Sequence, residues 1–245
     1  MAQMIASLQN PIVKHLVKLR QDRDYRYAQQ SLLLMGAKPI AELSAHYLPK
    51  RVMTVDPKLL PPHCQEGELI IVGEPLMQKV TGMVRSEGIV AEFAMPAMQP
   101  LHDISRLLVL DAIGDPGNMG TLFRTALALG WPAIFIVGNS CDPYNEKALR
   151  AAKGATFHLP WQQGSWQELE ALIFANGLKG YVADIHGAAV DAVGKVDRPL
   201  LLLSNEAHGP SPEALRLCQR VSIPMGAMSE SLNVATAGAI LMYVM

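Results

Sequence analysis

Leu200-Leu201-Leu202-Leu203-Ser204-Asn205-Glu206-Ala207-His208-Gly209-Pro210 is the stretch that decides how this chain is organised. Four leucines without a polar interruption predict a strand buried on both faces, as in a parallel α/β sheet. The run stops at Asn205-Glu206. That places polar side chains at the carboxyl end of a strand, where an open α/β sheet binds its ligand. Further on, Val221-Ser222-Ile223-Pro224-Met225-Gly226 and Ser229-Glu230-Ser231-Leu232-Asn233 form a second loop with the same destination. Its Gly and Ser residues keep side chains small and leave backbone groups available. Ser231 or Asn233 is placed to cap an Ala/Gly-rich apolar helix that follows to residue 245.

Working back from this stretch, strands are predicted at 107–110, 133–137, 156–159 and 180–183. Helices are predicted from about 121 to 129, at 145–153 and at 166–175. Alternation of this kind specifies an α/β unit with a mainly parallel sheet. The first ninety-odd residues alternate too, with strands at 32–35, 51–55, 69–72 and 88–93 and helices at 38–48 and 74–80. They predict a smaller α/β sandwich. Asn10-Pro11 is a helix start, a capping side chain followed by Pro at the first position. Ile12, Leu16 and Leu19 then share one face. Residues 95–100 carry two prolines and no periodicity, and read as a linker. The expected domains are 1–95, a linker at 96–104, and 105–245.

Half of the 245 residues are apolar and 18% are charged, with a net charge of −1. Such a balance gives no support for binding nucleic acid through bulk charge. A local basic patch stays open, with Lys14, Lys18, Arg20, Arg23 and Arg26 as its candidate against a plain solvated helix face. Cys64, Cys141 and Cys218 are far apart and make no CxxC spacing, so neither a structural zinc nor a disulfide framework is expected. The expected compartment is reducing and cytoplasmic. No secretory signal core is expected, and the apolar run 234–245 is too short to span a bilayer.

The polar cluster Asp115-Pro116-Gly117-Asn118-Met119-Gly120 follows the strand at 107–110. Gly114, Gly117 and Gly120 are expected to let the backbone turn tightly before the helix. Arg124, six residues after Asn118, is expected on the same side of that element. At a helix start it would oppose the dipole, which favours an anionic partner over an ordinary pair with a carboxylate. The glycine spacing is not GxGxxG, and no Gly-Lys-Ser/Thr follows, so neither a dinucleotide fingerprint nor a P-loop is present. His208 could serve as a base, but a solvent-facing loop histidine is the plainer reading. No Ser/His/Asp order and no HExxH spacing supports a hydrolase or a zinc site.

Taken in order, Asn118-x-Gly120-x-x-x-Arg124-Thr125-Ala126, Asn205-Glu206-x-x-Gly209, and Ile223-Pro224-Met225 with Ser231-Leu232-Asn233-Val234 resemble the three motifs of the SpoU (TrmH-like) branch of the SPOUT methyltransferases. The resemblance covers about residues 107–245, and Arg150-Ala151-Ala152-Lys153-Gly154-Ala155 resembles the family's segment between the first two motifs. Residues 1–95 are more loosely similar to the L30e-like RNA-binding domain that often precedes this module. The resemblance implies a deep C-terminal trefoil knot, which general connectivity rules argue against. It also implies methyl transfer from S-adenosylmethionine to a ribose 2′-hydroxyl of structured RNA, with ribosomal RNA as the expected substrate. No metal and no membrane are implied, and the expected assembly is a homodimer through the catalytic domain.

Carried over by motif, the catalytic candidates are Asn118, Arg124, Glu206, Ser231 and Asn233. The cofactor-binding candidates are Leu203, Ser204, Asn205, Gly209, Ile223, Pro224, Met225, Ser231 and Leu232. Ser204 stands where the family has Gly, and Ala207 replaces another Gly of the same loop. The usual acidic-Gly segment of the first domain reads Leu34-Met35-Gly36-Ala37-Lys38. Three other readings stay open: a knotted paralogue that grips RNA without catalysis, a transfer-RNA substrate, and a nucleotide-dependent oxidoreductase. Retention of all five catalytic candidates argues against the first, and the missing GxGxxG argues against the last.

Overall fold

The structure, a computed structural model, describes residues 3–64, 67–205, 209–226 and 231–245. Two compact units emerge, residues 1–97 with 144–150, and residues 98–143 with 151–245. Glu206 and His208 lie outside the described residues.

In the first unit, β1 (Gln3–Ile5) precedes α1 (Pro11–Gln21) and α2 (Arg23–Gln29). Then come β2 (Ser31–Met35), α3 (Ala37–Ser44), β3 (Arg51–Thr54), β4 (Glu68–Val72), α4 (Glu74–Thr81) and β5 (Ile89–Ala94). The strands form one sheet in the order β1-β4-β3-β5-β2. The pairs β1–β4 and β3–β4 are parallel, and β3–β5 and β2–β5 are antiparallel. Helix α1 starts as its sequence predicts, with Asn10 Oδ1 accepting from the Ile12 amide at 2.8 Å and Pro11 at the first position. Val13, rather than Ile12, joins Leu16 and Leu19 in the core.

The proposed basic patch is only partly a surface. Arg26 is 2% exposed, and its guanidinium donates to the carbonyls of Leu19 and Arg20 at 2.8 and 3.0 Å. It therefore satisfies acceptors left over at the end of α1. Lys14, Lys18 and Arg23 remain exposed. Helix α3 is shorter than predicted and ends at Ser44.

The second unit begins with β6 (Leu107–Asp111), α5 (Pro116–Ala128) and β7 (Ala133–Val137); α6 (Glu146–Ala152) follows, most of it counted with the first unit, and then α7 (Ala155–His158). It continues with β8 (Trp161–Gln163), α8 (Trp166–Asn176), β9 (Lys179–Ala189) and α9 (Val190–Val193). It closes with β10 (Pro199–Ser204), α10 (Pro212–Leu217), β11 (Gln219–Ser222) and α11 (Val234–Val244). The sheet runs β11-β9-β10-β6-β7-β8, and every pair in it is parallel. The mainly parallel α/β fold expected from the sequence is present. All four leucines 200–203 are fully buried in the middle of this sheet.

Three local expectations are corrected. The strand predicted at 156–159 is the short helix α7, and the strand follows at Trp161–Gln163. Gly154, at φ 89°, redirects the chain into that helical turn. Helix α5 starts at Pro116 rather than near 121, because Asp115 caps it by accepting from the Asn118 amide at 2.8 Å. Gly117 and Gly120 therefore lie inside the helix, and neither they nor Gly114 has a positive φ. The left-handed residue after β6 is Ala112, at φ 53°.

Candidate active site

Parallel strands bring the carboxyl ends of β6 and β10 side by side, with Ser204 in register with Asp111. From β6 the chain moves to β7 on one side, while β10 lies on the other. This is the topological switch point at which an open α/β sheet leaves a crevice. A cavity of about 650 Å³ opens there. Its walls are Leu203, Ser204, Asn205 and Gly209 after β10, and Ser222, Ile223 and Met225 after β11. Ser231, Leu232 and Val234 close it at the start of α11. Every cofactor-binding candidate except Pro224 lines this one space.

Helix α11 can lie against β10 and α5 because its residues are small. A Cβ on Gly238 would sit 2.6 Å from Leu203 Cδ1 and 2.7 Å from Leu122 Cδ2. The first and third motifs meet through the same contact. Asn233 Nδ2 donates to Asn118 Oδ1 at 2.9 Å, while Asn233 Oδ1 accepts from the amides of Ala235 and Thr236. Asn233 is thus both the cap of α11 and the tie to α5. Asn233→Ala is expected to lower stability by about 1 kcal/mol, read as a drop in the chemical-denaturation midpoint without a change in slope.

Arg124 is not gathered into this cavity. It lies in the interior of α5, exposed, with no ion pair among the described residues. Six residues at about 100° each leave it roughly 120° around the helix from Asn118, so the two do not share a side. The argument from the helix dipole falls as well, since Arg124 is two turns past the start.

Two groups at the site were not anticipated. The first is Asp111, 5% exposed at the end of β6. Its carboxylate accepts from the Ser204 hydroxyl at 3.3 Å and from the hydroxyl and amide of Ser211. Those serines bracket the loop that forms one wall of the cavity. Asn205 Nδ2 adds a bond to the Ala112 carbonyl at 3.2 Å. Ser204, the departure from the family pattern, therefore has a specific partner. A signal existed in the sequence, an Asp ending an otherwise apolar strand.

Burial pushes the Asp111 carboxyl above the ordinary aspartate range, against the two serines, which pull it down. A carboxyl raised on folding contributes most to stability while protonated, and that contribution is lost as pH rises through the ordinary range and on through the raised one. Asp111→Asn cannot ionise. Its stability relative to the wild type is expected to improve over that pH interval and then level off, as followed by urea unfolding at a series of pH values.

The second group is Ala183, Asp184 and Ile185 of β9, which also line the cavity. Arg220 pairs with Val182 and the next residue, Val221, pairs with Ala188, so residues 183–187 are an excursion of β9 past β11. Nothing in the local pattern marks it. Asp184 also pairs with Arg220 at 3.4 Å.

Burial pushes the Cys218 thiol up to about 12 and raises Cys64 as well, and among the described residues no cluster of His, Cys, Asp and Glu is set to hold a metal. No described helix is long and apolar enough to cross a membrane.

Comparison with known proteins gives three consistent results. A family model described as the SpoU rRNA Methylase family matches residues 105–243. The chain is 30% identical over 243 residues to a Bacillus subtilis protein named 23S rRNA (guanosine(2553)-2'-O)-methyltransferase RlmP, covering 98% of this chain and 97% of that one. It is 27% identical over 243 residues to a 23S rRNA (uridine(2479)-2'-O)-methyltransferase of Streptomyces viridochromogenes, covering 91% and 84% respectively. Among solved structures, it superposes with a TM-score of 0.88 and 26% identity on an AdoMet-bound rRNA methyltransferase from Sinorhizobium meliloti, covering 99% of this chain and 96% of that one.

Proposed function

The chain belongs to the SpoU rRNA methylase family, and from that membership we propose that it transfers a methyl group from S-adenosylmethionine to a ribose 2′-hydroxyl of ribosomal RNA. The observation that carries the reading is that the second and third motif segments line one cavity, while the first motif's Asn118 is tied to Asn233, the residue between the cavity-lining Leu232 and Val234.

The cavity suits the cofactor. Its volume falls within the usual range for a small-molecule site. Leu203, Ile223, Leu232 and Leu241 offer apolar surface for a purine, and Ser204, Asn205 and Ser231 offer polar groups for its edge and sugar. Asp184 supplies a carboxylate for a cationic ligand. When bound, S-adenosylmethionine supplies an electrophilic methyl carbon on a positively charged sulfur.

The protein's own contribution is positioning and charge. Holding the 2′-oxygen near the methyl carbon supplies much of the rate. The O–C bond forms as the S–C bond breaks, and the hydroxyl proton leaves to solvent or to a nearby acceptor. Arg124 is not the base that takes that proton, since a guanidinium does not deprotonate in proteins. We assign it to stabilising the negative charge that develops on the oxygen and to holding the adjacent phosphate. Asn118 and Asn233 orient the ribose, Ser231 binds substrate or the edge of the cofactor, and Glu206 is assigned to fixing this network.

Arg124 is exposed and outside its own chain's cavity, which supports its acting in the cavity of a partner subunit. Leu127 on α5, and Ile240, Tyr243 and Val244 on α11, which packs against α5, leave apolar side chains exposed, and we assign that face to a two-fold homodimer. We assign residues 1–95 to an L30e-like RNA-binding domain, 96–104 to a linker and 105–245 to catalysis. We assign the family's trefoil knot to the stretch from β10 to α11. A cytoplasmic location is part of the same reading.

The test is tritium transfer from labelled S-adenosylmethionine into unmodified ribosomal RNA. Label that resists alkali, as a 2′-O-methylated linkage does, is the expected result. Bound cofactor without labelled RNA would favour the non-catalytic RNA binder instead.

A further inference from the structure

Asp111 does not line the cavity, yet it holds one of the cavity's walls by both ends. Its carboxyl stands at the end of β6, and three neutral donors converge on it. The Ser204 hydroxyl donates to Oδ2 at 3.3 Å, and Ser211 donates through both its hydroxyl and its amide. Ser204 is the last residue of β10, and Ser211 is the N-cap of α10. Asn205, Gly209 and Pro210, which lie between the two serines in the chain, line the cavity. One side chain on another strand therefore fixes where this wall begins and where it ends.

The carboxyl is itself held in place. Ala112, next in the chain, sits in the left-handed region at φ 53°, and its amide donates to the Val137 carbonyl at 3.4 Å. The Ile113 amide donates to the Ser140 hydroxyl at 3.1 Å, and that hydroxyl donates to the Val137 carbonyl at 3.2 Å. On the side of β7, Asp111 Oδ1 packs so close to Gly138 that a Cβ there would approach it to 3.0 Å. Ser211 is also directed. Its hydroxyl accepts from the Ala214 amide at 3.3 Å as the cap of α10, which leaves its one proton for Asp111.

Stability does not explain the arrangement. Burial raises the carboxyl more than the serine bonds lower it, and Glu213 adds to the rise. An ionised Asp111 therefore adds no stability, and what it supplies is position. Ser204 stands where the family pattern has Gly, so its tie to Asp111 distinguishes this chain from that pattern.

We propose that Asp111 is a positioning residue for the cofactor, holding Asn205, Gly209 and Pro210 in their binding geometry through Ser204 and Ser211 together. The inference rests on the S-adenosylmethionine reading of the cavity, and adds to it a group that acts through the loop without touching the ligand. A loop ordered in advance loses less freedom when the ligand binds, so cutting its ties lowers affinity.

The test is calorimetric binding of S-adenosylmethionine to the full chain without RNA, at a temperature where unfolding curves show each variant folded. Asp111→Ala is expected to weaken binding about 10-fold. Asp111→Asn keeps an oxygen for Ser211 and gains an amide that can donate to the Ser204 hydroxyl, and should stay within about threefold of wild type. Ser211→Ala cuts the far tie, outside the cavity, and should weaken binding about fivefold, which tests the proposal even where Asp111→Ala does not fold. Ser204→Ala should weaken binding in the wild type and have no effect in the Asp111→Ala background. A loss of stability alone moves none of these affinities, since each is read on folded protein.

If the wild type binds S-adenosylmethionine and folded Asp111→Ala or Ser211→Ala binds it as tightly, the inference falls and the cofactor reading stands. Equal losses in Asp111→Asn and Asp111→Ala would assign the effect to charge rather than position and overturn it too. So would Ser204→Ala and Asp111→Ala effects that multiply, because Ser204 would then act independently of Asp111. A wild type that does not bind S-adenosylmethionine ends the cofactor reading, and this inference with it.

Discussion

Arg124→Ala is expected to lower the turnover of RNA methylation by about 10²–10³-fold while leaving cofactor affinity and folding stability close to wild type. The reasons are structural and chemical together. Arg124 is exposed on α5 and makes no ion pair among the described residues, so its removal breaks no ion pair of the fold seen here. It does not line its own chain's cavity, so cofactor binding to that chain does not depend on it. What it offers is a fixed positive charge for an oxygen that becomes anionic only during the reaction. Such an interaction is felt in turnover and not in ground-state binding. Lys at the same position keeps the charge but loses the planar fork, and should recover only part of the rate. Unchanged turnover in Arg124→Ala would remove Arg124 from the chemistry.

Gly187→Ala is expected to weaken S-adenosylmethionine binding about 10- to 100-fold, measured by calorimetry, and to lower stability as well. Gly187 closes the excursion of β9 over residues 183–187. A Cβ there would sit 2.5 Å from the Val221 amide nitrogen and 2.6 Å from the Arg220 carbonyl carbon. Both are backbone atoms, so no side-chain rotation relieves the clash. Either β11 moves away from β9 or the excursion is redrawn. The Gly187 carbonyl also accepts from the Ser222 hydroxyl at 2.9 Å, at the point where the chain leaves β11 for Ile223 and Met225. Ala183 to Ile185 form one wall of the cavity and Ser222, Ile223 and Met225 another, so either adjustment alters the cofactor site. A Gly187→Ala protein with wild-type cofactor affinity would show that the strands yield without disturbing the walls.

The two variants also test the arrangement of subunits. If Arg124 serves the partner's cavity, a dimer with one Arg124→Ala subunit and one Gly187→Ala subunit keeps one complete site. Statistical mixing should then restore about a quarter of wild-type activity. If Arg124 serves its own cavity, each subunit of the mixed dimer is defective and no activity returns.

Much of this molecule was legible in its sequence, because the relevant signals are local. The leucine run 200–203 specified a doubly buried strand, and Asn205 after it marked the ligand end of the sheet. Asn10-Pro11 and Asn233 specified helix starts through the chemistry of single side chains. Where local signals competed, the reading slipped. Glycines at 114, 117 and 120 suggested a turn, but the Asp115 cap and Pro116 had already begun α5. The segment at 156–159 is apolar enough for a strand, yet Gly154 turns it into α7.

The tertiary structure alone decided which distant groups meet. Sheet order placed β6 beside β10, and only that brings Asp111 under Ser204 and Ser211, with more than ninety residues between them. Only the close approach of α11 to α5 joins Asn233 to Asn118. The excursion at 183–187 follows from how β9 passes β11, and no periodicity along one strand encodes a partner's register. Only strand pairing likewise aligns Glu68, Arg51 and Glu92 across β4, β3 and β5. Periodicity and capping act over a few residues and are written in the chain, whereas pairing and packing depend on which surfaces fit, and that is settled only when the whole sheet is assembled.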